Sequence, residues 1–183
     1  MEYFAVQVWT GKEDEFAARI GAAPGFGALT LVPKRALNLR RRGRQVREER
    51  PLFPGYAFIV NDEPELTLDQ RWALRTTPFF LRALPDTSCP RPINERDRRI
   101  LAHFMSFGKT ADTSVVYFDE NERIVVVDGP LKGFEGLIVR VDKRKGRAKI
   151  RLDMCEDSFL VDLAFVLLNR SSKGNGSGHD GTP

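Results

Sequence analysis

"DGPLKGFEG", residues 128 to 136, sets three glycines and a proline into nine positions. Its reading decides between a loop that cradles a phosphate and the turns of a small sheet. A Walker-type loop needs G-x-x-x-x-G-K-[ST] between a strand and a helix. Here Gly129 and Gly133 stand one residue too close, Lys132 precedes Gly133, and no Ser or Thr occupies the Mg²⁺-ligand position. The dinucleotide-binding G-x-G-x-x-G spacing is also absent, and "LIVRV" after Gly136 has strand texture. The turn reading meets neither obstacle. Asp128–Gly129–Pro130 ends one strand, while Gly133 and Gly136 allow a tight bend and a close backbone approach. The stretch reads as a barrel corner.

Working outward, "RIVVV", "FEGLIVRVD", "RAKIRL", "SFLVDL" and "FVLL" are short strands spaced by turns. Five of them within about fifty residues predict a small SH3-like all-β barrel over 119–170. Upstream the texture alternates. "YFAVQVW" (3–9) places Phe4, Val6 and Val8 on one strand face and Tyr3, Ala5, Gln7 and Trp9 on the other. "KEDEFAARIGAA" carries acids in a helical first turn. A strand near 29–32 precedes a hairpin whose tip is Arg41–Arg42–Gly43. "GYAFIV" (55–60) is an apolar strand, followed by a helix near 68–74, a strand near 79–84, and a helix over 94–104 capped by Asn94. This order predicts an α+β sandwich of the ferredoxin-like kind over 1–106. Residues 107–118 read as a linker, and the polar 171–183 as a disordered tail.

Charge is small in sum and uneven in place. The net is +4, yet residues 34–50 and 140–151 each carry +6. Two such patches suggest a polyanion, nucleic acid being the usual one, against the alternative of two solvated hairpins. Cys89 and Cys155 have no partner at metal-ligand spacing. No apolar run approaches the ~18 residues of a membrane span, and the N-terminus lacks a signal-peptide pattern. A cytoplasmic monomer without cofactor, metal or membrane contact is expected. The two histidines, His103 on an amphipathic helix and His179 in the tail, complete no catalytic constellation, so no enzymatic activity is expected.

"VVVDGPLKGFEGLIVRVDKRKGRAKIRL" (125–152) resembles a KOW element. "ERPLFPGYAFIV" (49–60) resembles the signature of the NusG N-terminal (NGN) domain, and "YFAVQVWTGKE" (3–13) and "RWALRTTPFF" (71–80) match that family's other segments in order and spacing. The chain is thus identified as a member of the NusG family over residues 1 to about 170. The resemblance implies a transcription elongation or antitermination factor whose NGN domain docks on the clamp helices of RNA polymerase through an exposed apolar patch. Tyr3, Trp9, Phe53 and Tyr56 align with that patch; the alternative makes them ordinary core aromatics. The hairpin with Arg40, Arg41, Arg42 and Arg44 is implied to lie near upstream or non-template DNA.

The family's Phe-Gly-Arg-x-Thr-Pro-Val-like turn is replaced here by "DMCEDSFLVDL" (153–163), which puts coupling to ribosomes and Rho in doubt. The basic barrel hairpin, with Lys132, Lys143, Arg144, Lys145, Arg147, Lys149 and Arg151, fits a structured leader RNA. Together these features resemble the LoaP group of operon-specific antiterminators. The RfaH group, whose barrel segment can refold as helices, is the alternative within the family, and a ribosome-associated KOW protein the alternative outside it.

Overall fold

The computed structural model describes residues 1–41 and 43–168 of the 183. Arg42 and the stretch read as a tail, with His179, therefore lie outside the described residues.

Strand β1 (Glu2–Val8) is central to an antiparallel sheet. The chain continues through α1 (Glu13–Gly21), β2 (Leu29–Leu31), β3 (Lys34–Arg41), β4 (Arg44–Pro51), β5 (Tyr56–Asn61), α2 (Leu68–Thr76), β6 (Phe80–Ala83) and α3 (Glu95–Met105). The four-stranded order is β2-β5-β1-β6. The strict alternation of β1 sorts its two faces. Phe4, Val6 and Val8 pack with Phe16 and Ile20 of α1 and with Ala73 and Leu74 of α2. Ala5 and Tyr3 face the other way, toward Leu101 and Phe104 of α3. Thr67 caps α2 through a reciprocal box with Gln70, and Asn94 caps α3 by accepting from the Asp97 N–H. The Asn94 cap follows from a residue type read in the sequence; the Thr67–Gln70 box was not anticipated.

Beyond α3 come β7 (Thr110–Ala111), β8 (Ser114–Phe118), β9 (Ile124–Asp128), a 3₁₀ turn (Glu135–Leu137), β10 (Ile138–Asp142), β11 (Arg147–Met154) and β12 (Asp157–Leu167). The barrel sheet runs β10-β11-β12-β8-β9, while β7 adds in parallel to the β3–β4 ribbon. The α+β sandwich followed by a small β barrel is as the sequence predicts. Residues 107–118 differ from expectation: they hold β7 and β8 rather than a plain linker. Ser114 hides the strand signal of "SVVYF", being fully buried because its Oγ accepts the Leu131 N–H at 2.9 Å. β12 is likewise one strand where two were expected.

Two corner glycines have a definite steric reason. Gly129 has φ +97°, and a Cβ there would stand 2.6 Å from the Ser114 Cα. Gly146 has φ +61°, and a Cβ would stand 2.7 Å from the Phe165 carbonyl. Gly136, expected at a close approach, faces open space within the 3₁₀ turn.

The hydrophobic core does not stop at the domain boundary. One cluster joins Phe53, Tyr56, Phe58, Leu101 and Phe104 to Val116, Leu131, Ile150, Leu163 and Phe165 of the barrel. The second face of the NGN sheet is therefore roofed by α3 and by the barrel.

Candidate binding faces

The roof covers the face that the resemblance assigns to polymerase. Phe53 packs edge-on against Phe58, Phe104 and the barrel's Phe159, the last at 5.3 Å between ring centroids. Tyr56 meets the same Phe159 at 5.4 Å. Phe53 and Tyr56 are only 1% and 4% exposed. The expected exposed apolar patch is, in this arrangement, an internal contact. The physical reason is that two aromatics beside Pro54–Gly55 form a flat apolar surface, and the edge of β12 supplies a complementary ring.

A polar latch frames this contact. Gln7 and Tyr56 stand opposite each other on β1 and β5, and the Gln7 amide donates to the Tyr56 hydroxyl. The hydroxyl donates in turn to the Asp157 carboxylate on β12. Burial, and then the neighbouring carboxylate, push the Tyr56 pKa well above its ordinary value, so the hydroxyl keeps its proton and acts as donor. Elsewhere along the junction the Cys155 N–H donates to Asp97 Oδ2 at 2.9 Å. His103 Nε2 lies 3.0 Å from the Pro130 carbonyl, ringed by Phe104, Phe107 and Phe134. His103 is thus a satisfied junction residue, in keeping with its non-catalytic reading.

The other two patch candidates fall differently. Tyr3 is partly buried against the shared cluster. Trp9 is 57% exposed at the far end of β1, tilted against Phe79 at 5.8 Å. Sequence reasoning missed Asp157, Phe159 and Asp97 as contact residues. Gln7, a polar side chain on an otherwise apolar strand face, was the available signal.

The barrel cations divide by strand alternation. Arg147, Lys149 and Arg151 share the outer face of β11, with Arg140 of β10 paired to Lys149 in register. Lys143, Arg144 and Lys145 form the exposed tip. Lys143 sits 4.2 Å over the Phe118 ring and 3.5 Å from Glu122; Lys145 lies 3.6 Å from Asp142. Lys132 stands apart. It belongs to the loop after β9, at the opposite end of that strand from the Glu122 turn that meets the tip. In the NGN hairpin, Arg40 and Arg41 end β3, and Arg44, which begins β4, is exposed.

Arg147 also reaches out of its domain, its Nη2 donating to the Asn38 carbonyl of β3 at 2.8 Å. In the reverse direction buried Arg35 of β3 donates to the Asp162 carbonyl of β12. Burial lowers the Arg35 pKa, opposed by Asp162 and reinforced by Arg50 and Arg147.

Comparison with known proteins bears on this architecture. A family model described as "NusG: Transcription termination factor nusG" matches residues 1–102. The chain belongs to the NusG family. Relatives span nearly its whole length. The Vibrio cholerae transcription termination/antitermination protein NusG is 28% identical, covering 89% of this chain and 92% of the relative. The Thermus thermophilus protein of the same name is also 28% identical, at 90% and 96%. A solved structure described as "Domain interaction in Thermotoga maritima NusG" shares the fold, with a TM-score of 0.51 at 19% identity over 89% of this chain and 93% of that one. The chain is therefore a non-enzymatic transcription elongation/antitermination factor of the NusG family. No described helix is long and apolar enough to cross a membrane.

Proposed function

We propose that this chain is an operon-specific elongation and antitermination factor that docks on the clamp helices of RNA polymerase through the face around Tyr3, Phe53 and Tyr56. Its barrel both covers that face and binds a structured leader RNA. The carrying observation is the contact of Phe159 and Asp157 with Phe53 and Tyr56. A flat aromatic surface ringed by few polar bonds is the kind of surface that serves as an interface hot spot once uncovered. T-shaped aromatic pairs contribute ~0.5–1.5 kcal/mol each beyond area burial. The cover is therefore strong enough to be the resting arrangement and weak enough for a polymerase surface to displace. The solved neighbour described by its domain interaction is in keeping with such packing.

For the barrel, the support is the exposed Arg140 and Arg151 with half-buried Lys149 between them, together with the Lys143–Lys145 tip. A-form RNA concentrates phosphate charge and is recognised largely by shape, which suits cations on a rigid sheet. The altered "DMCEDSFLVDL" segment forms the end of β11 and the junction edge of β12. It supports the LoaP-like reading, because the residues in place of the family turn are the ones that build the cover. The barrel segment packs as strands, so the RfaH-like reading gains nothing from it.

The test uses purified polymerase and the protein's own genomic leader template. Asp157→Ala with Phe159→Ala should bind polymerase more tightly than the parent chain and raise terminator readthrough. Unchanged polymerase binding by this variant overturns the assignment of the covered face.

A further inference from the structure

The two basic hairpins, 106 positions apart at their first residues, are neighbours in space. Arg147 of β11 holds the Asn38 carbonyl of β3, and Arg35 of β3 holds the Asp162 carbonyl of β12. The outer face of β10-β11-β12 therefore continues across the junction onto the β3–β4 ribbon. On the ribbon, Arg35 pairs with Arg50, and alternation along β4 brings Arg44 to the same face as Arg50. On the barrel side, Arg140, Lys145, Arg147 and Lys149, with Asp142 and Asp162, line a depression of about 160 Å³.

Among the described residues, this junction is short of negative charge. Arg35 is 9% exposed, and its Nε has no hydrogen-bond partner; the Nε of Arg147 is buried and unpartnered too. Asp162 is the carboxylate facing Arg35, and it is shared with Lys149 at 3.7 Å. Glu48 on the ribbon is paired with Arg50 at 2.7 Å. Closing the molecule thus brings two strongly cationic hairpins together with too few carboxylates to balance them.

We propose that the two hairpins form one composite site for the phosphodiester backbone of a nucleic-acid duplex, and that its occupation favours the closed arrangement. The inference rests on the reading above that the barrel hairpin takes nucleic acid, and it adds the NGN ribbon and a sign of coupling. A polyanion spanning the junction relieves the cation repulsion that closure creates, so it binds the closed form more tightly than the open one. By linkage, whatever uncovers Phe53 and Tyr56 weakens nucleic-acid binding by the same factor. Polymerase and free duplex then select opposite states of one molecule.

The experiment titrates the full chain with a fluorescein-labelled DNA duplex and with an RNA hairpin of matching stem, across a salt series. One duplex per chain is expected. Arg44→Gln with Arg50→Gln, and separately Arg140→Gln with Lys149→Gln, should each lower the log–log salt slope on the DNA duplex by up to about 1.8, at about 0.9 for each phosphate no longer neutralised. These side chains are at the surface or half-exposed, so the fold should stand. Amide hydrogen exchange across 155–163 should slow when either nucleic acid is added. Equal affinity for the two identifies any duplex backbone as ligand, and preference for the hairpin identifies RNA. If only the Arg140 and Lys149 change matters, the composite site is wrong and the barrel reading stands. If neither pair matters, both fall. Two duplexes per chain, or exchange across 155–163 that stays the same or quickens on binding, also overturns the proposal.

Discussion

Phe53 and Tyr56 are three residues apart, yet substitution at each reads a different property. Phe53 touches three other phenylalanines in a core shared by both domains, so Phe53→Ala opens a cavity there and should cost ~3–5 kcal/mol, lowering the urea midpoint. It cannot serve as a clean test of polymerase docking. Tyr56→Phe keeps the ring against Phe159 and removes the hydroxyl, with its bonds to Asp157 and Gln7. Because Asp157 is itself exposed, the loss should be about 1 kcal/mol. That corresponds to roughly a fivefold larger open fraction, readable by hydrogen exchange at the junction amides. Gly129→Ala belongs to a third kind. A left-handed φ and a 2.6 Å clash with backbone should destabilise the barrel by more than ~1 kcal/mol, seen as a lower melting temperature.

At the scale of elements, the β10–β11 hairpin separates into a tip and a junction face. Lys143, Arg144 and Lys145 lie at the tip, whereas Arg147 also ties β11 to β3. Lys143→Ala with Arg144→Ala and Lys145→Ala should reduce leader-RNA affinity and its salt slope while leaving far-UV circular dichroism unchanged. Unaltered slope in that variant returns the tip to the solvated-hairpin reading. Some element boundaries were legible because their starts carry local chemistry: Asn94 as a cap, and alternation in "YFAVQV". β8 was not, since a buried serine opens it and one of its two partners, β12, is about fifty residues away.

At the scale of the whole molecule, the two cysteines report the closed arrangement. Cys89 is exposed, whereas Cys155 is held at the junction by Asp97. Burial, with Asp97, Asp157 and Glu156 nearby, pushes the Cys155 thiol up to about 12. A thiol in that state is almost wholly protonated at pH 8 and a poor nucleophile. A disulfide reagent at pH 8 should therefore label one cysteine quickly and the second slowly. The slow phase should accelerate in Asp157→Ala with Phe159→Ala, and should disappear on unfolding. Equal labelling rates in the parent chain would contradict a closed resting state.

The sequence by itself determined what short-range rules encode: the two fold types, the Asn94 cap, the corner at Gly129, the two charge patches and the family. Its β1 alternation even marked Gln7 as out of place on an apolar face. The use of that face was decided only by tertiary structure. Whether Phe53 and Tyr56 meet solvent or a partner depends on Phe159 and Asp157, about a hundred residues away, and no periodicity relates such distant positions. The same holds for the basic stretches, which read as two separate patches until Arg147 meets Asn38 and Arg35 meets Asp162. Local patterning fixes which side of a strand is apolar, whereas packing of one domain on another decides what that side touches.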